Sequence, residues 1–167
     1  MGIADIDSSA KEVLKILRKY HNPPGREMLI DATLFAFLRG RYTHVQRQHR
    51  VYVYGSNKPK RIDFRYGGSN PIVLEFAVRP PTGGGELYGS QNVSELHKLC
   101  RVKHTAARLR ALLLLDLYHK PIRQEALEKT YEVINAGRGR FKRSAVRVIY
   151  VHNDLAFNFS WKPYKKL

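Results

Sequence analysis

Between Arg61 and Arg79 the chain reads Arg-Ile-Asp-Phe-Arg-Tyr, then Gly-Gly-Ser-Asn-Pro, then Ile-Val-Leu-Glu-Phe-Ala-Val-Arg. Two alternating runs around a Gly/Asn/Pro cluster predict a β-hairpin. Side chains alternate faces along a strand, so Ile62, Phe64 and Tyr66 share a core-seeking face with Ile72, Leu74, Phe76 and Val78. The opposite face carries Arg61, Asp63 and Arg65, then Val73, Glu75, Ala77 and Arg79. If Tyr66 and Ile72 close the turn, Asp63 falls opposite Glu75. Directly opposed side chains have Cβ atoms roughly 5 Å apart, and like charges there are destabilising. Two resolutions are open from spacing alone. A divalent cation such as Mg²⁺, held by one or two carboxylates, would reconcile the pair. Alternatively, Arg61, Arg65 and Arg79 neutralise both acids on a solvated face.

These residues resemble the PD-(D/E)xK nuclease superfamily, in which an Asp ending one strand is followed, across a hairpin, by Glu-x-Lys in the next. The matching residues are Asp63 and Glu75-Phe76-Ala77. Their context from Glu27 to about Asp116 is similar too: helix, strand, Asp strand, Glu strand, basic helix, apolar strand. Glu27 matches a helical Glu that often completes the family's site. The resemblance implies a restriction-endonuclease-like core and metal-dependent cleavage of DNA phosphodiester bonds. It also implies Mg²⁺ (or Mn²⁺) held by Asp63, Glu75 and the backbone carbonyl of Phe76, with Glu27 as a third or outer carboxylate. The family's lysine orients or activates the attacking water, and here that position is Ala77. Three accounts are open. The lysine was replaced to trap an inactive complex. It has migrated to the following helix, where Lys98 is the candidate and Arg79 a weaker one, because guanidinium does not deprotonate in proteins. Or the chain is a degenerate nuclease, a binding module for DNA or RNA that does not cut.

Charge sets the partner class. Thirty Lys and Arg against 14 acids give a net charge of +16, which points to a polyanion, nucleic acid first and an anionic membrane surface second, though no amphipathic lysine-rich segment stands out. The nuclease resemblance makes DNA the expected nucleic acid. Candidate contacts are Arg61, Arg65, Arg79, Arg101, Arg138, Arg140, Lys142 and Arg143. Phe141 within the last group suits base stacking. No run reaches the roughly 18 apolar residues of a membrane span, and no signal peptide opens the chain. The single cysteine, Cys100, excludes an internal disulfide and a cysteine zinc site. A cytoplasmic or nucleoid-associated setting is expected, and a homodimer is compatible with it.

The expected architecture is α/β, one domain over 1–167, with a mixed central sheet of about five strands flanked by helices. Residues 1–24 form an N-terminal helix, 25–151 the core, and 152–167 a C-terminal strand and basic tail. Ser9 and Glu12 fit a capping box. A second helix over Glu27–Leu38 turns Met28, Leu29, Ala32, Phe35 and Leu38 inward, with Gly40 as its cap. Val45–Tyr54 alternates as a strand. Pro80–Gly85 is a glycine-rich loop expected beside the site. A helix capped by Asn92 or Ser94 runs to Leu109, basic on one face. Ala111–Asp116 is a buried strand. Pro121 opens a helix reaching about Ala136, and strands follow at Val146–Val151 and Ala156–Trp161.

Overall fold

The structure is a computed structural model that describes residues 3–20, 27–84, 86–103, 107–132 and 146–163. Its centre is a mixed six-stranded sheet in the spatial order β1 to β6, one strand more than expected. The strands are β1 (Gln46–Val51), β2 (Lys60–Tyr66), β3 (Ile72–Arg79), β4 (Leu109–Asp116), β5 (Val146–His152) and β6 (Phe159–Trp161). β1, β2 and β3 form an antiparallel meander. β4 and β5 run parallel to β3, and β6 returns antiparallel on β5.

The parallel strands explain the uninterrupted apolar run. β4 pairs with β3 and β5 along its whole length and is covered on both faces, so no position in Ala111–Leu115 can be polar. One face packs on helices α1 (Ile3–Tyr20) and α2 (Glu27–Arg41), with Ile6, Val13, Ile30, Leu34 and Leu38 against Phe64, Leu74, Leu113 and Ile149. The other packs on α3 (Ser90–Arg101) and α4 (Gln124–Thr130), with Leu96, Leu99 and Leu127 against Val73, Leu112 and Val148. No described helix is long and apolar enough to cross a membrane.

Several boundaries and phases differ from the sequence expectation. α1 begins before Ser9, whose hydroxyl is buried near the Tyr42 hydroxyl and caps nothing. α2 turns Ile30, Leu34 and Leu38 inward, leaving Ala32 exposed and Phe35 half-buried, and it continues through Gly40 to Arg41. α3 starts at Ser90 after Gly89 without a side-chain cap. It stops at Arg101 instead of Leu109, because Val102 leaves the helix to bridge Val53. α4 is shorter than expected and starts three residues beyond Pro121. Ile62 packs under α3 with Val51 and Val53, away from Phe64 and Tyr66. The regular β2–β3 ladder reaches only Phe64↔Leu74, and beyond it β2 follows β1 and its own twist. Arg138, Arg140, Lys142 and Arg143 lie outside the described residues.

Candidate functional site

The expected register is the observed one. Tyr66↔Ile72, Arg65↔Val73 and Phe64↔Leu74 pair in β2–β3, so the next step brings Asp63 level with Glu75. At that step the two strands part. Asp63 Oδ2 takes over the role of a backbone acceptor and receives the amide of Phe76 at 3.0 Å. The N–H and C=O of one strand residue point the same way, so the Phe76 carbonyl faces the same gap. A cavity of about 450 Å³ opens there, lined by Gln48, Arg61, Asp63, Glu75, Ala77, Glu95 and Lys98 among others.

α3 roofs this gap and supplies a cation. Lys98 Nζ lies 2.5 Å from Glu75 Oε1, ion-pairs with Glu95 one turn earlier on its own helix, and donates to the Arg61 carbonyl at 2.6 Å. Leu96 and Leu99 anchor the helix in the core on either side of this face. Glu75 is only 3% exposed. Burial and the neighbouring Asp63 carboxylate push its pKa up to about 9, with Lys98 working against both. Burial acts to lower the Lys98 pKa, but Glu75 and Glu95 outweigh it, and the net direction is upward. Lys98 is therefore a fixed ammonium in this state, not a poised base.

Two contributors were not anticipated from the sequence. Glu95 carries the second carboxylate on Lys98. Gln48 sits mid-strand in β1 at φ 48°, and its side-chain amide donates to Asp63 Oδ1 at 3.2 Å. A non-glycine residue held in the left-handed region costs of order 1–3 kcal/mol, and such outliers cluster where geometry serves a site. Neither is legible in advance. Glu95 looks like an ordinary helix-surface acid, and alternation carries no sign of a left-handed residue.

Of the remaining candidates, Glu27 is the first residue of α2, and its side chain lies outside the described part. Ala77 lines the cavity, so the motif position faces the site. Arg61 is exposed at the cavity rim and Arg65 is half-buried in β2. Arg101 is exposed and its Nε donates to the Tyr54 carbonyl. Arg79 is a correction. It is buried, and its Nε and Nη2 hold Asp116 at 2.7 and 2.6 Å, so it forms a structural ion pair and does not lie on a solvated face. The Pro80–Gly85 loop packs through Gly83 on the Tyr118 ring, and its exit at Gly89 lines the cavity.

The donor set fits a divalent cation of the Mg²⁺ kind. Among the described residues no three His, Cys, Asp or Glu side chains converge on one point. Asp63 and Glu75 converge as a pair, which is the carboxylate complement typical of Mg²⁺ with water and substrate phosphate. Glu75 Oε1 and Glu95 Oε2 are buried, and the Lys98 ammonium meets both. Asp63, the protonated Glu75 and Glu95 surround one half-buried ammonium, so a cation bound between Asp63 and Glu75 would have to displace the Glu75 proton.

A thermal measurement follows from this balance. Folded Glu75 keeps its proton to about pH 9, whereas its ordinary value is 4.5. Between those values the folded state binds more protons than the unfolded chain. Metal-free stability should therefore fall as pH rises, by at most about 1.4 kcal/mol per pH unit. A cation between the carboxylates would replace the proton. Excess Mg²⁺ or Mn²⁺ should then raise Tm more near pH ~8.5 than near pH ~5.5, because less proton has to be displaced. Calorimetry on the Glu75→Gln variant should show neither the pH slope nor the metal gain. Equal gains at both pH values would remove Glu75 from the metal site.

The chain matches no protein-family model, no curated protein and no solved structure. The resemblance to the nuclease superfamily therefore rests on the residues themselves.

Proposed function

We propose that this protein is a metal-dependent endonuclease cleaving DNA phosphodiester bonds, on a restriction-endonuclease-like core, with Lys98 serving in place of the motif lysine. The observation that carries the reading is the Lys98 ammonium, 2.5 Å from Glu75 in the cavity that Asp63 also lines. A structural salt bridge alone would not require a second carboxylate level with the first. In this reading Asp63, Glu75 and the Phe76 carbonyl hold the ion. A divalent ion there would polarise the scissile phosphate and lower the pKa of its bound water. Lys98 donates from the α3 side to the attacking water or a phosphate oxygen, and Glu95 holds it in place. Gln48 fixes the Asp63 carboxylate. The exposed arginines Arg61 and Arg101 take the flanking backbone.

The second reading is a non-catalytic DNA- or RNA-binding module on the same core. Ala77 favours it, since the motif position carries no cation. One experiment separates the two: incubation with plasmid, branched DNA and RNA in Mg²⁺ and in Mn²⁺, wild type beside Asp63→Asn. Metal-dependent cleavage lost in the variant supports the nuclease. Binding with no cleavage of any substrate supports the module.

Both readings need a polyanion, and the +16 charge supports one. Affinity should drop steeply with salt. The slope of log K against log salt should gain about −0.9 per neutralised phosphate on duplex DNA. A titration with a slope near zero would remove the nucleic-acid partner altogether.

A further inference from the structure

Beyond the cleavage site, the surface beside the C-terminal end of α3 is built from two tyrosines and two cations. Residues 52–54 leave β1 and pair with residues 101–103 as a short antiparallel bridge. Tyr54 N donates to Arg101 O at 2.8 Å, and Lys103 N donates to Tyr52 O at 3.1 Å. Val53 and Val102 point into the core. Alternation therefore turns Tyr52, Tyr54, Arg101 and Lys103 outward together. The Lys103 ammonium lies 5.8 Å from the Tyr52 ring centre and 6.0 Å from that of Tyr54. Tyr52 is 58% exposed.

A single exposed aromatic needs no explanation in itself. Three features set this one apart. Its backbone carbonyl is tied to Lys103, two residues past the end of the helix that carries Lys98. Its ring has the Lys103 ammonium beside it. It also lies where two acid-free stretches meet, for no Asp or Glu occurs between Asp31 and Asp63 or between Glu95 and Asp116. Arg50, Lys58, Lys60 and Arg61 are exposed along the adjoining hairpin. The pairing Val51↔Lys60 places the tyrosine roughly 10–15 Å from Asp63, counted along β2 at about 3.3 Å per residue.

We propose that Tyr52, with Lys103 beside it, is a stacking subsite for an unpaired base, so that the substrate carries a single-stranded segment next to the cleaved bond. This rests on the nucleic-acid reading above and narrows it to a structure class. A paired base in a duplex hides its faces in the stack, whereas an unpaired one offers a π-face to a ring and its phosphate to the neighbouring cations.

The test is fluorescence anisotropy without metal, using a labelled single strand of roughly 12 nucleotides, within the site sizes of single-strand binders, and a blunt duplex of equal length. Tyr52→Ala should weaken the single strand about tenfold and leave duplex affinity within about twofold. Its salt slope should stay that of wild type, because no charge is removed. Tyr52→Phe and Tyr52→Trp should bind as wild type. Lys103→Ala should reduce the single-strand slope by about 0.7. Single-strand affinity unchanged in Tyr52→Ala would overturn the subsite, as would an equal loss on duplex or an equal loss in Tyr52→Phe. Failure of the wild type to bind either probe would overturn the polyanion reading and the subsite together. Cleavage surviving in Asp63→Asn would overturn only the catalytic reading.

Discussion

Lys98→Ala should lower the rate of DNA cleavage by about 10²–10³-fold, the loss typical of deleting one preorganised charge-stabilising donor. Affinity for uncleaved DNA without metal should change by no more than about twofold, since the ammonium is turned inward among Glu75, Glu95 and the Arg61 carbonyl. Lys98→Arg should not restore activity. A planar guanidinium cannot meet that tripod of acceptors as a compact ammonium does. The decisive variant is the double one, Lys98→Ala with Ala77→Lys. Ala77 lines the same cavity on β3, so a lysine there enters it from the sheet side. The buried stem costs about 1–3 kcal/mol of overpacking, but the cation returns to Glu75, and part of the lost rate should return with it. Single-turnover kinetics on the wild type, both singles and the double would decide. Additive losses, with no recovery in the double, would sink the idea that Lys98 occupies the motif lysine's role.

That site was partly written in the sequence, and its legibility follows the range of the interactions involved. Asp63 and Glu75 are fixed by a short hairpin, where turn length sets register and alternation sets faces. Both cues lie within a few residues, and the register is observed as expected. Lys98 is legible in part: Leu96 and Leu99 anchor α3 on the sheet, and Lys98 lies between them in sequence, at the border of the buried face. The errors lie where a distant partner decides. Arg79 shares the alternation of Glu75 and looked like a surface contact. Its partner Asp116 sits 37 residues away at the end of a parallel strand. The apolar stripe of α3 predicts a helix to Leu109, continuing through Val102. A bridge to Val53, far back in the chain, claims that residue instead. In α2 the sequence offers two stripes that share Leu38, one through Ala32 and Phe35 and the other through Ile30 and Leu34, and the structure buries the second. Propensity does not choose between stripes when packing against α1 and the sheet does.

The same long-range pair gives the largest expected effect on stability. Asp116 is fully buried and accepts from Arg79 Nε and Nη2, from the Tyr150 hydroxyl at 2.5 Å and from the Tyr118 amide at 3.1 Å. Tyr150 in turn receives the Ile122 amide at 3.0 Å, and burial raises its pKa, with the Asp116 hydrogen bond adding to the rise. These contacts tie the ends of β3, β4 and β5 to the segment leading into α4. Asp116→Ala removes the carboxylate from the buried Arg79 guanidinium, which keeps the Lys120 carbonyl and the Tyr118 ring beside it. Removing one member of a buried ion pair costs about 3–5 kcal/mol, a large part of the ~5–15 kcal/mol that holds a domain folded. At about 2–4 °C per kcal/mol for a chain of this size, Tm should fall by roughly 6–20 °C. Replacing both partners, Arg79→Met with Asp116→Leu, should recover most of that loss, because the desolvation of two charges is removed together with their attraction. The recovered double variant should also bind DNA with the wild-type salt slope. If the slope instead falls by about 0.9, Arg79 reaches a phosphate after all, and its burial against Asp116 is not the state that binds DNA.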